Sequence, residues 1–376
     1  MRGARAKRTD PLWAKLTLVL GVLLVLASGG SFVGGKVLLA HVDNTVQQQN
    51  LLGNVAAGGG AAAIKGEVNI LLVGLDTRDN NPAMGSRSDS IVIAHIPASH
   101  DRAYLVSIPR DTGVHIPAFK KTGYTGGTDK INAAFQFGSM NGGGNAGGMQ
   151  LLALTIKDLT GITFNAAATV NFDGFKDVVE AMGGVNMCID EKTTSLHNGF
   201  FNGTTKRTAP FKITDGGLRW TPIPGTHPMV YQPGCRHLEA WQALDYVRQR
   251  DMLANGDGDY GRQRHQQQFI KALLKEGVSK GMSNPLTLNT FLEKVSKAFV
   301  FDGGGVSLTD WIFAMKGIDP SSMVMLKTNG GTYNSVTVNG QSREELSATS
   351  LAMLTALRTD KLDDFIATHP SWVSGD

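Results

Sequence analysis

The sequence predicts an α/β protein: a three-layer α/β/α domain with a central mixed sheet, preceded by one N-terminal transmembrane helix. Three observations predict it. Short apolar runs of strand length at 68–74, 90–96 and 103–108 each stop at a glycine or a proline. Segments with helical spacing alternate with such runs through the rest of the chain. Residues 16–35 carry no charge and lie between Lys15 and Lys36. At the rise of an α-helix, that length spans a hydrocarbon core of ~30 Å.

The elements follow in order. Basic residues precede the 16–35 span and a neutral segment follows it, which puts the N-terminus in the cytoplasm and the rest outside. Small residues at 27–31 also fit a cleaved signal peptide, and a buried soluble helix is the third reading. Residues 41–66 are polar, then rich in glycine and alanine, and a flexible stalk is expected over 36–66. Three strands come next, at 68–74, 90–96 and 103–108. Helices are expected at 130–138 and 149–160, the second ended by Gly161, then a strand near 166–172. Asp173 can cap a helix that ends at Gly183 and Gly184. A strand at 185–190 leads into 192–232, which is long, polar and turn-rich and reads as a surface insertion. Helices at 238–247 and 260–279 follow, the second with an apolar stripe at Phe269, Ile270, Leu273, Leu274 and Val278. The tail continues with a helix near 308–317 and strands near 322–328 and 331–338. In domain terms, 1–15 is a basic tail and 16–35 an anchor. The stalk runs over 36–66, an external domain over 67–340, and a helical extension of it over 341–376.

Composition excludes several classes. Of 376 residues, 41% are apolar and 18% charged, which suits a folded protein. The net charge of +4 is accounted for by Arg2, Arg5, Lys7 and Arg8, so no global basic field marks a nucleic-acid binder. Two cysteines rule out a disulfide-dense scaffold and a four-cysteine zinc site. Export permits a disulfide between Cys188 and Cys235.

Polar residues gather at the ends of the first three strands. Asp76 and Arg78 follow the first, Arg87 and Asp89 precede the second, and Arg110 and Asp111 follow the third. If these strands run antiparallel, all six share one sheet edge, where pocket sites commonly form. A second cluster covers Arg248, Arg250, Asp251, Asp257, Asp259, Arg262, Arg264, His265 and Gln266. Arg262 and Gln266 are four apart, on one helix face. Guanidinium forks near a helix N-terminus suit a phosphate or pyrophosphate. Paired carboxylates beside it suit Mg²⁺. Taken singly, a strand-end aspartate is more often a cap, the 248–251 run a surface salt-bridge array, and Lys130 a plain helix start. The glycine-rich run at 142–147 matches a dinucleotide fingerprint, but no strand precedes it, so we read a loop. Gly30–Lys36 mimics a phosphate loop without its Ser/Thr. The nine histidines show no ligand spacing, so no zinc is expected.

At these residues the sequence resembles the LytR-CpsA-Psr family of cell-wall assembly proteins. The matching motifs are Leu72-Val-Gly-Leu-Asp-Thr-Arg78, Arg87-Ser-Asp-Ser90, Ser107-Ile-Pro-Arg-Asp111, Lys130-Ile-Asn-Ala-Ala134 and Val170-Asn-Phe-Asp-Gly-Phe175. They continue with Met182-Gly-Gly-Val185, Pro233-Gly-Cys-Arg-His-Leu238, Ala243-Leu-Asp-Tyr-Val-Arg-Gln-Arg250 and Asp259-Tyr-Gly-Arg262. They stand in family order across about residues 68–280.

The resemblance implies a membrane-anchored enzyme outside a Gram-positive cell. Such proteins move a glycopolymer from a polyprenyl-pyrophosphate carrier to a peptidoglycan sugar hydroxyl, making a phosphodiester. Asp76 and Asp89 match the carboxylates associated with Mg²⁺. Arg87, Arg110, Arg248 and Arg250 match a pyrophosphate clamp, with Arg262, Gln266 and Lys130 as further head-group contacts. Asp111, Asp259 or Asp89 is the expected acceptor of the hydroxyl proton, and Arg110 the expected stabiliser of phosphate charge. The expected partners are the lipid-linked glycan, peptidoglycan and the membrane. Three departures stand out: His265 where the family has an arginine, Ala240 where it has a glycine, and the long 192–232 insertion. Pyrophosphate hydrolysis of the same lipid and non-catalytic binding of lipid-linked polymer are the alternative functions.

Overall fold

The computed structural model describes residues 47–58, 64–76, 86–214, 219–280, 287, 290–291, 293–294, 297–315 and 317–375. The expected span at 16–35 and Arg78 lie outside the described residues. Among the described residues no helix is long and apolar enough to cross a membrane.

In chain order the strands and helices begin with β1 (Gln47–Gln48), β2 (Val68–Asp76), β3 (Arg87–Ile96), β4 (Tyr104–Ser107), β5 (Gly113–Ile116) and β6 (Gly127–Lys130). Then come α1 (Ile131–Ser139), α2 (Gly144–Thr160), β7 (Ala166–Asn171), α3 (Phe172–Ala181) and β8 (Val185–Ile189). The insertion carries β9 (Thr193–Phe201), β10 (Arg207–Thr208), β11 (Phe211–Thr214), β12 (Arg219–Pro222) and β13 (Thr226–Tyr231). After β14 (Gly234–Leu238) come α4 (Ala240–Tyr246), α5 (Asp259–Ser279), β15 (Phe299–Asp302) and α6 (Leu308–Met315). The chain closes with β16 (Val324–Leu326), β17 (Ser335–Val338), β18 (Gln341–Glu344), α7 (Ala348–Arg358) and α8 (Leu362–Thr368).

The central sheet has seven strands in the order β1-β15-β7-β2-β3-β4-β16. β2, β3 and β4 are antiparallel, while β7 joins β2 and β16 joins β4 in parallel, so the sheet is mixed. The apolar runs are continuous because both faces are covered. Leu71, Val73, Ile91, Ile93 and Val106 pack one face against Phe135, Leu152, Ile156 and Leu357 of α1, α2 and α7. Their neighbours Ile70, Val92 and Leu105 pack the other against Trp311 of α6 and Met325, with Ile270 of α5 beside them. The period of two along each strand assigns these faces.

Several expectations change. Residues 47–57 are not a free stalk: β1 pairs with β15, Leu51 and Leu52 are fully buried, and Ala57 N–H donates to the Phe164 carbonyl. The glycine-rich run is a helix contact, not a loop, because α2 starts at Gly144. A Cβ on Gly138 would lie 2.3 Å from the Gly147 carbonyl oxygen, so α1 and α2 meet backbone to backbone. The cap of α3 is Asn171, whose side chain accepts from Gly174 N–H at 2.8 Å, rather than Asp173. The apolar stripe of α5 fails at its end, where Leu274 and Val278 are 48% and 60% exposed. Its buried face is polar instead, with Arg262, Gln263, His265, Gln267 and Gln268. The expected strand at 331–338 shortens to β17, which forms a hairpin with β18.

Nor is 192–232 only a surface loop. β9 pairs with β10 and β13, and Thr193, Ser195, Leu196 and Tyr231 are buried. Below it, β8 and β14 form an antiparallel pair in which Cys188 stands opposite Cys235, and the two are joined by a disulfide. Opposite-facing Val185, Met187, Ile189 and Leu238 pack on Tyr246 and Phe269, which fixes this pair against α4 and α5.

Replacing both Cys188 and Cys235 by serine should lower stability by about 3–4 kcal/mol in the chain-entropy model, for a sequence separation of 47. Denaturant melts of the oxidised protein and the double variant measure it, and equal midpoints would contradict the expectation.

Candidate functional site

The antiparallel order of β2, β3 and β4 brings their polar ends to one rim. Asp76 pairs in register with Arg87. The register slips between Gly74, opposite Ser90, and Leu75, opposite Ser88, so Asp89 has no opposite residue. Such a bulge re-aims a side chain, and Asp89 Oδ1 accepts from Arg110 Nη1 at 2.8 Å. Gly74 belongs there because a Cβ would sit 3.0 Å from that of Ser90.

Arg110 is the hub. Its Nε lies 3.8 Å from Asp111 and 3.9 Å from Asp259. Burial by itself would lower the Arg110 pKa, but Asp89, Asp259 and Asp111 raise it above its usual value. Lys130, at the end of β6, holds Asp111 at 2.9 Å. From α5, Arg262 Nη2 contacts Asp259 at 2.7 Å and donates to the Asp89 carbonyl at 3.0 Å. One turn on, Gln266 Oε1 accepts from Ser90 Oγ at 2.7 Å. The buried Nε–H groups of Arg110 and Arg262 have no hydrogen-bond acceptor among the described residues. Asp259 Oδ1 beside them is likewise without a well-aligned donor, and it is the gathering of Arg110, Arg262 and Lys130 at one rim that suits an anionic ligand.

The remaining residues expected in a clamp sit further out. Arg87 is exposed and donates to Gln136 Oε1 at 3.1 Å. Arg248 stacks over the Phe172 ring at 4.3 Å, and Arg250 Nε lies 3.7 Å from Asp251. Burial pushes the Asp251 carboxyl up, opposed by His197, Arg110 and Arg262. Asp76 and Asp89 Oδ2 form no hydrogen bond among the described residues, which leaves hard oxygen donors of the kind Mg²⁺ prefers.

The second sequence cluster divides. Successive helix residues turn by ~100°, so Arg262 and Gln266 share a face that Arg264, two residues from each, leaves. Arg264 pairs instead with Asp190, Glu191 and Asp257. Fully buried His265 stacks on Tyr246 at 4.2 Å, with Nε2 3.4 Å from both Asp190 and Glu191. Asp190, Glu191 and His265 lie close enough to hold an ion, but the Arg264 guanidinium already pairs with both carboxylates. Sequence reasoning also missed a network around buried Asp245, which accepts from Ser195, Asn198, Tyr231 and Gln249. The signal was an acidic residue on the apolar face of a helix, at 245 between Ala243 and Tyr246.

A model of the LytR_cpsA_psr family matches residues 40–359. The polyisoprenyl-teichoic acid–peptidoglycan teichoic acid transferase TagU of Oceanobacillus iheyensis is 30% identical over 284 residues, 73% of this chain and 72% of that one. TagU of Bacillus cereus strain AH820 is 30% identical over 268 residues, covering 69% and 70%. The crystal structure of B. subtilis TagV is similar in fold, with a TM-score of 0.55 at 24% identity, covering 80% of this chain and 98% of that one. The LytR-CPS2A-psr family protein YwtF (TagT) with bound octaprenyl pyrophosphate lipid has a TM-score of 0.52 at 19% identity, covering 84% and 98%.

Arg264→Met should cost about 3–5 kcal/mol of stability, because it strands buried carboxylates. Burial alone would raise the pKa values of Asp190 and Glu191, but His265 and Arg264 hold both below their ordinary values of 3.8 and 4.5. A depressed carboxyl pKa stabilises the fold above the unfolded value, and that contribution is lost as pH falls through the folded one. The gap between wild type and variant should therefore be largest near neutral pH and close below pH ~4. A gap independent of pH, read from melts across that range, would contradict the role given to the ion pairs.

Proposed function

This chain belongs to the LytR-CpsA-Psr family, and we propose that it transfers a glycopolymer from a polyprenyl-pyrophosphate carrier to a peptidoglycan sugar hydroxyl. The observation that carries the reading is the convergence of Arg110, Arg262 and Lys130 with Asp89, Asp111 and Asp259 at one sheet rim. The teichoic acid transferase names of the TagU relatives support it, as does the fold shared with a protein holding octaprenyl pyrophosphate.

In this mechanism Arg110 and Arg262 bind the pyrophosphate, with Lys130, Arg248, Arg250, Arg87 and Gln266 around it. Asp89, Asp111 and Asp259 hold those cations in place, so little reorganisation accompanies charge build-up on the phosphate oxygens. The acceptor hydroxyl oxygen attacks the phosphorus that carries the glycopolymer. The new P–O bond forms as the bond to the bridging oxygen breaks, and polyprenyl phosphate leaves with that electron pair. The hydroxyl proton passes to a carboxylate of the rim. Asp111 and Asp259 are candidates, joined by Asp251, whose carboxyl pKa burial raises. Asp76 and Asp89 would hold Mg²⁺, which supplies charge neutralisation for the pyrophosphate. The span at 16–35 would anchor the chain, with the catalytic domain outside the cell.

Arg110→Ala should weaken binding of a prenyl-pyrophosphate glycan roughly ten- to a hundredfold, the loss of one charge-assisted contact. Asp76→Ala should lose turnover and regain part of it at raised Mg²⁺. Binding by calorimetry and product analysis with peptidoglycan fragments test both. Wild-type behaviour in either variant would refute its assigned role, and release of free glycan phosphate in place of a linked product would identify a hydrolase.

The anchor makes a separate expectation. Protease added to intact spheroplasts should digest the large domain, and protection until lysis would reverse the proposed orientation.

A further inference from the structure

The insertion brings another polar side chain against Gln249, which follows Arg248 in the chain. His197, on β9, has 36% of its side chain exposed. Its Nδ1 lies 3.0 Å from Gln249 Nε2 and 3.9 Å from Asp245 Oδ1. The orientation of the Gln249 amide is fixed by its other bonds. Gln249 Oε1 accepts from Leu196 N–H at 3.0 Å, while the two hydrogens of Nε2 are shared among the Asp245 carbonyl and Oδ1, both at 2.9 Å, Ser195 Oγ at 3.3 Å and His197 Nδ1. The nitrogen facing His197 therefore carries hydrogens, and a proton on Nδ1 would oppose them. The neutral ring must hold its proton on Nε2, on the side away from Gln249.

The surroundings keep that ring neutral at pH 7. Burial lowers the His197 pKa first, and Arg248 lowers it further, against Asp245 and Asp251. Those three charges are the titratable groups acting on the ring, and Trp220 of β12 closes another side edge-on at 6.4 Å. Among the described residues Nε2–H has no hydrogen-bond acceptor of its own. A donor without an acceptor beside Arg248 and Asp251, a third exposed, is placed to meet an anionic oxygen.

We infer that His197 is a further substrate-contacting residue, whose Nε2–H donates to a phosphate oxygen of the lipid-linked glycan held beside Arg248. The inference rests on the phosphate-clamp reading above. It gives the insertion a part in the site: β9 delivers the donor, and the Asp245–Gln249 network sets its tautomer.

Calorimetry on the full chain tests it, with a glycosylated prenyl pyrophosphate whose two phosphate diesters do not titrate near neutral pH. His197→Ala should weaken affinity about tenfold, as expected for a lost hydrogen bond to a charged group. His197→Gln, which keeps an N–H donor, should recover most of it. A bound phosphate favours the imidazolium, so wild-type affinity should rise as pH falls from 8 to 6, and this slope should be absent in His197→Gln. A loss in Ala without recovery in Gln, with the slope unchanged, would mean a structural role and overturn the inference. Wild-type affinity in His197→Ala overturns it as well. If that variant does not fold, the slope in His197→Gln decides alone. Arg110→Ala separates the two readings. When it weakens binding and His197→Ala does not, only this inference falls. When wild type itself fails to bind, the clamp reading falls and this inference with it.

Discussion

Arg110 is held by carboxylates from three places in the fold: Asp89 on β3, Asp111 after β4 and Asp259 at the start of α5. A guanidinium so placed cannot shift without leaving a buried charge unpaired, a cost of several kcal/mol. It therefore locks the edge of the sheet to the N-terminus of α5. Three other members of the rim are positioned relative to that lock. Lys130 reaches it through Asp111, Arg262 through Asp259 and the Asp89 carbonyl, and Gln266 through the next turn of the same helix.

Two further polar networks keep the outer parts in register. Arg264 gathers Asp190, Glu191 and Asp257, which ties the end of β8 to the opposite side of α5. Asp245 gathers Ser195, Asn198, Tyr231 and Gln249, which ties the insertion to α4 just ahead of Arg248. The backbone adds Thr194 N–H to the Met252 carbonyl and Ala254 N–H to that of Lys192. An insertion fastened at so many points near Arg248 and Asp251 shapes the approach to the rim. His265 belongs to the same scheme: it lies against Asp190 and Glu191 inside the Arg264 network.

The chemistry of the rim was legible because strand ends and short connections dictate where residues meet. Runs at 68–74, 90–96 and 103–108, with a short link between the last two, leave few pairings, and antiparallel order puts Asp76, Asp89 and Arg110 at one edge. Helical spacing gave the shared face of Arg262 and Gln266. Patterns that depend on contacts between distant segments were misread. The glycines at 142–148 look like a loop until Gly138 is seen against Gly147. Asn171 rather than Asp173 caps α3. The polar face of α5 is buried, whereas an apolar stripe predicts the reverse.

The sequence by itself determined the first three strands, the main helices between 130 and 279 and the gathering of Asp76, Asp89 and Arg110 at one sheet edge, because periodicity and chain-local turns are local physics. It also placed an uncharged span of membrane length at 16–35. Only the tertiary structure decided which cation faces which carboxylate. The bulge at Asp89, the turning of Arg264 away from Arg262 and the capture of 192–232 by Asp245 all rest on charge pairing in buried surroundings. Such pairing is chosen by the low dielectric and by packing between segments far apart in the chain, and no local spacing encodes it.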